Sequence, residues 1–209
     1  MATEIITTRA LTNLARMKLR LGIDTAGFDT LFERMIMSVT DELESRANRK
    51  FGQATYTNEV YTIYHRGTEM FSLNNTPVTA LSALQYRAGT PSNPSWTSFI
   101  ADEYELVSDG KAGLIRIYGG VPSGTNAIRA TYTAGYKIDF EFPTDTSKHT
   151  LPFDLTDLAE RLITKRFKKR EHEGKENESF EGGQVTWEKF LTADDREILA
   201  RYTRLPVFI

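Results

Sequence analysis

Seven apolar residues, Phe28, Leu31, Phe32, Met35, Ile36, Val39 and Leu43, follow one another at spacings of three and four. On an α-helix such residues line one stripe, and a stripe of that width has to be covered by another apolar surface. The spacing predicts a helix over about Asp29–Asn48, with Asp29 placed to cap its start. A second stripe, Leu155, Leu158, Ala159, Leu162, Ile163 and Phe167, opens just after Pro152, a residue that a first helical turn accepts, and runs to about His172. The two stripes lie far apart in sequence, and packing one against the other buries both.

The remaining segments fill in an α+β fold. Leu11, Leu14, Met17, Leu19 and Leu21 predict a short first helix that ends at Gly22, a residue suited to the left-handed turn after a helix. Beyond Phe51 the apolar period falls to two, and short strands are expected at Tyr56–Tyr64, Met70–Leu73, Ala80–Arg87, Tyr104–Val107, Gly113–Tyr118 and Ala127–Tyr132. Turn-rich stretches separate them, and Gly119–Thr125 reads as a hairpin turn. Glu171–Gly183 reads as a mobile polar loop, followed by a short strand at Gln184–Phe190. Thr192 with Asp195 resembles a capping box that opens a last helix of about Ala193–Tyr202, before Pro206 and an apolar ending. The expected architecture is a helical bundle formed from the N- and C-terminal segments, 1–51 and 143–209, with an inserted antiparallel β-rich unit, 52–142.

Charge and composition exclude several classes of function. There are 26 Lys+Arg against 28 Asp+Glu in 209 residues, a formal charge of -2, so the surface as a whole is no trap for nucleic acid. No cysteine is present, which removes disulfides, thiolate nucleophiles and Cys-based metal sites. Met1–Arg20 has no apolar core of a signal peptide, and no stretch approaches the ~18 apolar residues of a membrane span. A soluble chain with no membrane contact is expected.

The chemistry of catalysis is thinly represented. His65, His149 and His172 lie in three different kinds of segment without ligand-spaced partners, and no Gly-x-Ser-x-Gly elbow occurs. The glycines of Gly119–Gly124 lack the Lys-Ser/Thr ending of a phosphate loop. Glu171, Glu173, Glu176, Glu178 and Glu181 lack the alternation of a calcium loop and read as solvated. One concentrated positive feature remains, Lys165, Arg166, Lys168, Lys169 and Arg170, in the last turns of a helix where cations also suit the dipole. It is readable as a solvated face, as a subunit contact or as a DNA contact. The ending Tyr202, Leu205, Pro206, Val207, Phe208 and Ile209 is too short to form a core of its own and calls for a groove to dock in.

Three stretches together resemble a known family. Leu11–Ile23, with Phe28–Ile36 and Asn48–Phe51, is similar to the opening of the head-tail connector (adaptor) proteins of long-tailed bacteriophages, the HK97-type connector family. Ile128–Tyr136, with its Tyr-Thr-Ala-Gly-Tyr ending, resembles the strand that precedes the Pro-initiated helix in larger members. That helix starts here at Leu151-Pro152, and the chain closes on a Leu199–Tyr202 segment of the same type.

The resemblance implies a non-enzymatic structural protein without cofactor or metal, whose copies form a ring, typically of twelve, beneath the portal. The implied partners are the portal protein, identical subunits, the next neck, stopper or tail protein, and genome DNA passing transiently through the channel. The implied location is the head-tail junction of the virion, reached from the host cytoplasm during assembly. It assigns portal docking to Tyr202, Leu205, Pro206, Val207, Phe208 and Ile209. The alternatives are another neck protein, a stopper or tail terminator, and a small nucleic-acid-binding accessory protein that uses the basic helix 165–170.

Overall fold

In a computed structural model, which describes residues 8–90, 93–170, 177–180, 183–186 and 191–204, Asn13 and Gly22 bracket the first helix, α1 (Leu14–Leu21). The Asn13 side chain accepts the Arg16 N–H at 2.9 Å, and Gly22 takes φ 64° and ψ 36°, the left-handed turn expected of it. The expected apolar stripe of this helix is corrected at Leu19, which is 85% exposed while Met17 is buried. Two positions past Met17 a helix has turned by roughly 200°, so Leu19 faces away from the side that packs.

The long stripe forms α2 (Asp29–Ala47), where Phe32, Ile36, Val39, Leu43 and Ala47 are buried. Asp29 does not cap it. A 3-10 turn, Ala26–Phe28, runs straight into the helix, so Phe28 occupies the cap position without the extended backbone that side-chain capping needs. Asp29 instead accepts from Lys18 Nζ at 2.9 Å. The second stripe forms α3 (Phe153–Lys169), with Pro152 at the cap position just ahead of the first turn. The two helices pack as their patterns require: the Phe32 and Phe167 rings lie 4.8 Å apart, and Phe28 sits edge-on to Phe167 at 5.4 Å. The last helix, α4 (Ala193–Ala200), begins with the capping box read from sequence, since Thr192 Oγ1 accepts the Asp195 N–H and Thr192 N–H donates to Asp195 Oδ2.

Seven strands make the β-rich part: β1 (Ala54–Ile63), β2 (Thr68–Ser72), β3 (Val78–Arg87), β4 (Trp96–Ser98), β5 (Tyr104–Leu106), β6 (Leu114–Val121) and β7 (Gly124–Ala134). They form two antiparallel sheets, ordered β1-β7-β3-β4 and β2-β6-β5. Residues of both sheets, among them Ile63, Phe71, Leu84, Ile115, Ile128 and Tyr132, enter one buried cluster. The Gly119–Gly124 stretch is corrected from a hairpin turn: Gly119 and Gly120 lie in β6, Gly124 opens β7, and Pro122 and Ser123 link two different sheets, because β6 pairs with β2 and β5 whereas β7 pairs with β1 and β3. Period-two patterning marks strands but not their partners.

Gly135, in the Tyr-Thr-Ala-Gly-Tyr segment, has φ 106°, and a Cβ there would meet the Gly52 carbonyl oxygen at 2.4 Å. Only glycine allows that approach. The segment read as a mobile loop contains a strand, β8 (Asn177–Phe180), antiparallel to β9 (Gly183–Thr186). The chain divides into two compact units, one of the residues up to Phe51 with Lys137–Arg204, the other of Gly52–Tyr136.

Candidate functional site

Among the described residues, three carboxylates of the helical unit are buried, and each gathers cations. Glu44 on α2, 2% exposed, accepts from Arg9, from Lys50 Nζ at 2.8 Å and from the Phe51 N–H at 3.0 Å. Glu160 on α3 accepts from Thr12 Oγ1 at 2.9 Å, Arg16 Nε at 2.7 Å and Arg20 Nη1 at 3.1 Å. A buried carboxylate is tolerated only when its lone pairs are met in this way. Together the two hold Arg9–Leu21 against α2 and α3. The third, Asp195, is fully buried at the start of α4. Burial opposes its ionisation, but the Thr192 backbone and hydroxyl, Lys165 and Arg161 outweigh that and hold its carboxyl below the usual range.

A lowered folded pKa means that the ionised form is preferred by the native state, so this stabilisation is complete above the unfolded value of about 4 and is lost as pH falls through the lower folded value. Thermal melts followed by helical circular dichroism between pH 2 and pH 6 are expected to show a decline below about pH 4. That decline should be shallower in Asp195→Asn; an identical pH profile in the variant would remove Asp195 from the account.

The basic run at the end of α3 is largely engaged within the chain. Lys165 Nζ lies 3.5 Å from Asp195 Oδ2. Arg166 pairs with Glu42 and donates to Ser38 Oγ at 2.9 Å. Arg170 donates to the Phe167 carbonyl at 2.7 Å and lies over the Phe167 ring, 3.9 Å from its centroid. Lys168 is exposed and Lys169 half-buried. The structure therefore brings Lys165, Arg166 and Arg170 into helix packing and leaves Lys168 as the outward cation of the run.

Tyr202 is half-buried, and its hydroxyl donates to the Asp154 carboxylate, 2.7 and 2.8 Å from the two oxygens. Leu205, Pro206, Val207, Phe208 and Ile209 lie outside the described residues. In the helical unit the large apolar side chains most open to solvent among the described residues are Leu19, Phe142 and Phe153; in the β-rich unit they are Val60, Tyr64, Met70, Ile100 and Tyr118.

The most perturbed titratable groups belong to a buried cluster in the β-rich unit. Tyr61 and Tyr132 both donate to Glu59, and Tyr132 Oη accepts the Asn75 N–H at 3.2 Å. Burial and the bond to Glu59 push the Tyr132 phenol up to about 12 and raise Tyr61 as well. Raised phenols stay protonated, the opposite of what a base or nucleophile needs. The cluster stitches β1 and β7 to the Leu73–Pro77 segment.

His149 is buried between the rings of Phe140 and Phe153, and its Nδ1 accepts the Asp139 N–H at 3.1 Å. His65 is exposed, and His172 lies outside the described residues. A cleft of about 420 Å³ lined by Arg66, Gly67 and Gly119–Ser123 holds one charged side chain and no acid-base pair. Among the described residues no three His, Asp or Glu side chains converge as a metal site would require. No helix among them is long and apolar enough to cross a membrane.

Sequence comparison finds no matching family model and no matching curated protein. The fold, by contrast, is similar to that of chains in solved particle structures. In the neck of an empty gene transfer agent (GTA) particle, computed with C6 symmetry, the similar chain superposes with a TM-score of 0.59 at 18% identity, covering 95% of this chain and 92% of that one. In the neck of the native particle, computed with C12 symmetry, the values are 0.53 and 17%, over 93% and 90%. In the virion of the native gene transfer agent particle they are 0.54 and 18%, over 99% and 90%.

Proposed function

We propose that this chain is a structural subunit of the neck of a tailed, phage-like particle, an adaptor of the head-tail connector type. Its copies form a dodecameric ring beneath the portal that extends the DNA channel and joins the head to the next neck or tail component. The observation that carries this reading is the extent of the fold similarity, nearly end to end in both chains, to chains in particle necks. Such a subunit needs two different faces for its neighbours in the ring and no catalytic pocket. The helical unit supplies a rigid scaffold, and its most open apolar side chains are available for burial on assembly.

Within this reading the β-rich insertion, which the fold limits to Gly52–Tyr136 rather than 52–142, adds surface for neighbouring subunits or tail components. Leu205, Pro206, Val207, Phe208 and Ile209 dock on the portal, with Tyr202 at their base. Lys168 and Lys169 are the members of the basic run left for subunit or DNA contact. The engagement of Lys165, Arg166 and Arg170 within the helical unit weighs against a nucleic-acid-binding protein built on 165–170, since that activity needs the cations together on one open face.

Deletion of residues 205–209 is expected to abolish co-sedimentation of the purified chain with portal rings while leaving its helical circular dichroism unchanged. Binding that survives the deletion undiminished would move docking to another surface. A chain that binds neither portal nor itself under any assembly condition would sink the adaptor reading.

A further inference from the structure

We propose that the C-terminal end of α1, with Leu19 as its knob, docks on the Phe142 and Phe153 surface of a second copy of this chain. The inference deepens the ring reading above and rests on it, because it names the two faces that successive subunits bring together.

The end of α1 is left open in the single chain. Leu19 is 85% exposed, and Ala15, one turn earlier on the same side, is exposed as well. The carbonyls of Lys18 and Leu19 are met by the N–H groups of Ile23 and Gly22, whereas among the described residues nothing donates to those of Arg20 and Leu21. Basic side chains of a last turn commonly serve such carbonyls and the negative end of the helix dipole. Here both are drawn away. Lys18 Nζ lies 2.9 Å from the Asp29 carboxylate, and Arg20 Nη1 lies 2.9 Å from Asp157 and 3.1 Å from Glu160. The end of α1 therefore presents an apolar side chain beside two open acceptors.

The complementary qualities lie on the segment that leads into α3, in the same helical unit. Phe142 is 47% exposed and Phe153 59%. Lys148 Nζ stands 3.5 Å from the centroid of the Phe142 ring and pairs with no carboxylate among the described residues. The neighbouring His149 stacks on Phe153, ring centroids 6.0 Å apart. Its Nδ1 accepts the Asp139 N–H, so the ring hydrogen belongs on Nε2, a buried nitrogen with no acceptor among the described residues. Two carboxylates of the segment, Asp139 and Asp145, are occupied by the N–H groups of Glu141 and Ser147. Two open rings, an unpaired cation and an unsatisfied donor suit an apolar side chain that arrives with carbonyl oxygens.

Both surfaces are open in one molecule, so the chain does not satisfy itself. Two different surfaces that fit each other make a head-to-tail contact, and such contacts close into a ring when the rotation per copy allows it.

The chain has no cysteine, so single introduced cysteines report the contact cleanly. Ala15→Cys marks the knob and Thr146→Cys, at another exposed position, marks the socket, with the proposed anchors intact. A short bismaleimide added to an equal mixture of the two full-length variants is expected to give dimers that neither variant gives alone. Leu19→Glu in the Ala15→Cys chain should abolish these dimers. The same change in the Thr146→Cys chain, whose Leu19 lies outside the linked contact, should leave them. Leu19→Ala should weaken self-association, read by sedimentation velocity, on the order of tenfold per contact at an unchanged melting temperature.

Dimers from Ala15→Cys alone would show knob meeting knob and overturn the pairing. Equal loss whichever chain carries Leu19→Glu would overturn it as well. Assembly without any mixed dimer would overturn the pairing and leave the ring reading standing. A chain that stays monomeric, alone and on portal rings, would overturn the ring reading and the pairing with it.

Discussion

Replacing Phe32 with alanine is expected to lower the unfolding free energy by about 3–5 kcal/mol, as measured by denaturant titration of the helical circular dichroism signal. Phe32 is fully buried on α2, with the Phe167 ring 4.8 Å away and the Phe28 ring 6.3 Å away. Its removal takes out one corner of a cluster of three mutually contacting rings and leaves a void. The Arg170 guanidinium lies over the Phe167 ring, 3.9 Å from its centroid, and Phe28 is braced edge-on against Phe167. Neither ring is free to collapse into the space, which places the cost in the upper part of the range for large-to-small changes. Leu19→Ala is the control, because a side chain 85% exposed should cost no more than about 0.5 kcal/mol. A loss below about 1.5 kcal/mol for Phe32→Ala would mean that the α2–α3 seam repacks and is not the main core contact.

Glu160→Ala is expected to cost about 2–3 kcal/mol and to act first on the N-terminal segment. The carboxylate is the common acceptor for Thr12, Arg16 and Arg20, so one substitution cuts three bonds between α3 and the stretch that carries α1. The arginines are about one-third exposed and recover water, which keeps the cost below that of breaking a fully buried pair. Thr12, fully buried, does not recover it. Amide hydrogen exchange should therefore accelerate across Leu14–Leu21 well before α2 is affected. Exchange that rises uniformly over both helices would show that the segment is integral to the core and not clamped onto it from outside.

The helical part of the fold was legible because two long stripes of large side chains leave few ways to be buried, and Phe28–Leu43 and Leu155–Phe167 pack against each other as that constraint demands. Capping chemistry was legible where it is local, at Gly22 and in the Thr192–Asp195 box. It failed at Asp29, where the preceding 3-10 turn changes the backbone that a cap requires. Leu19 misled because it neighbours residues that do pack, yet faces away from them.

Strand pairing was not legible. Pro122 and Ser123, between β6 and β7, pass the chain from one sheet to the other, and β4, three residues long, is too short to show a period. The buried carboxylates were invisible for a different reason: charge reads as exposure until the partners are known, and those of Glu160 come from 140, 144 and 148 residues away. The same distance hides the use of the basic run, whose Arg166 answers to Glu42 on α2. Its charge is plain in the sequence, while its engagement is a tertiary fact.

Under the proposed neck role, cryo-electron microscopy of the head-tail junction of the corresponding phage-like particle tests the central claim most directly. The account predicts a ring of identical subunits around the DNA channel, each fitting the helical and β-rich units, with the chain beyond Arg204 running into portal density. A neck reconstruction in which no ring fits this fold, or in which the chain is absent from the head-tail junction, would contradict it.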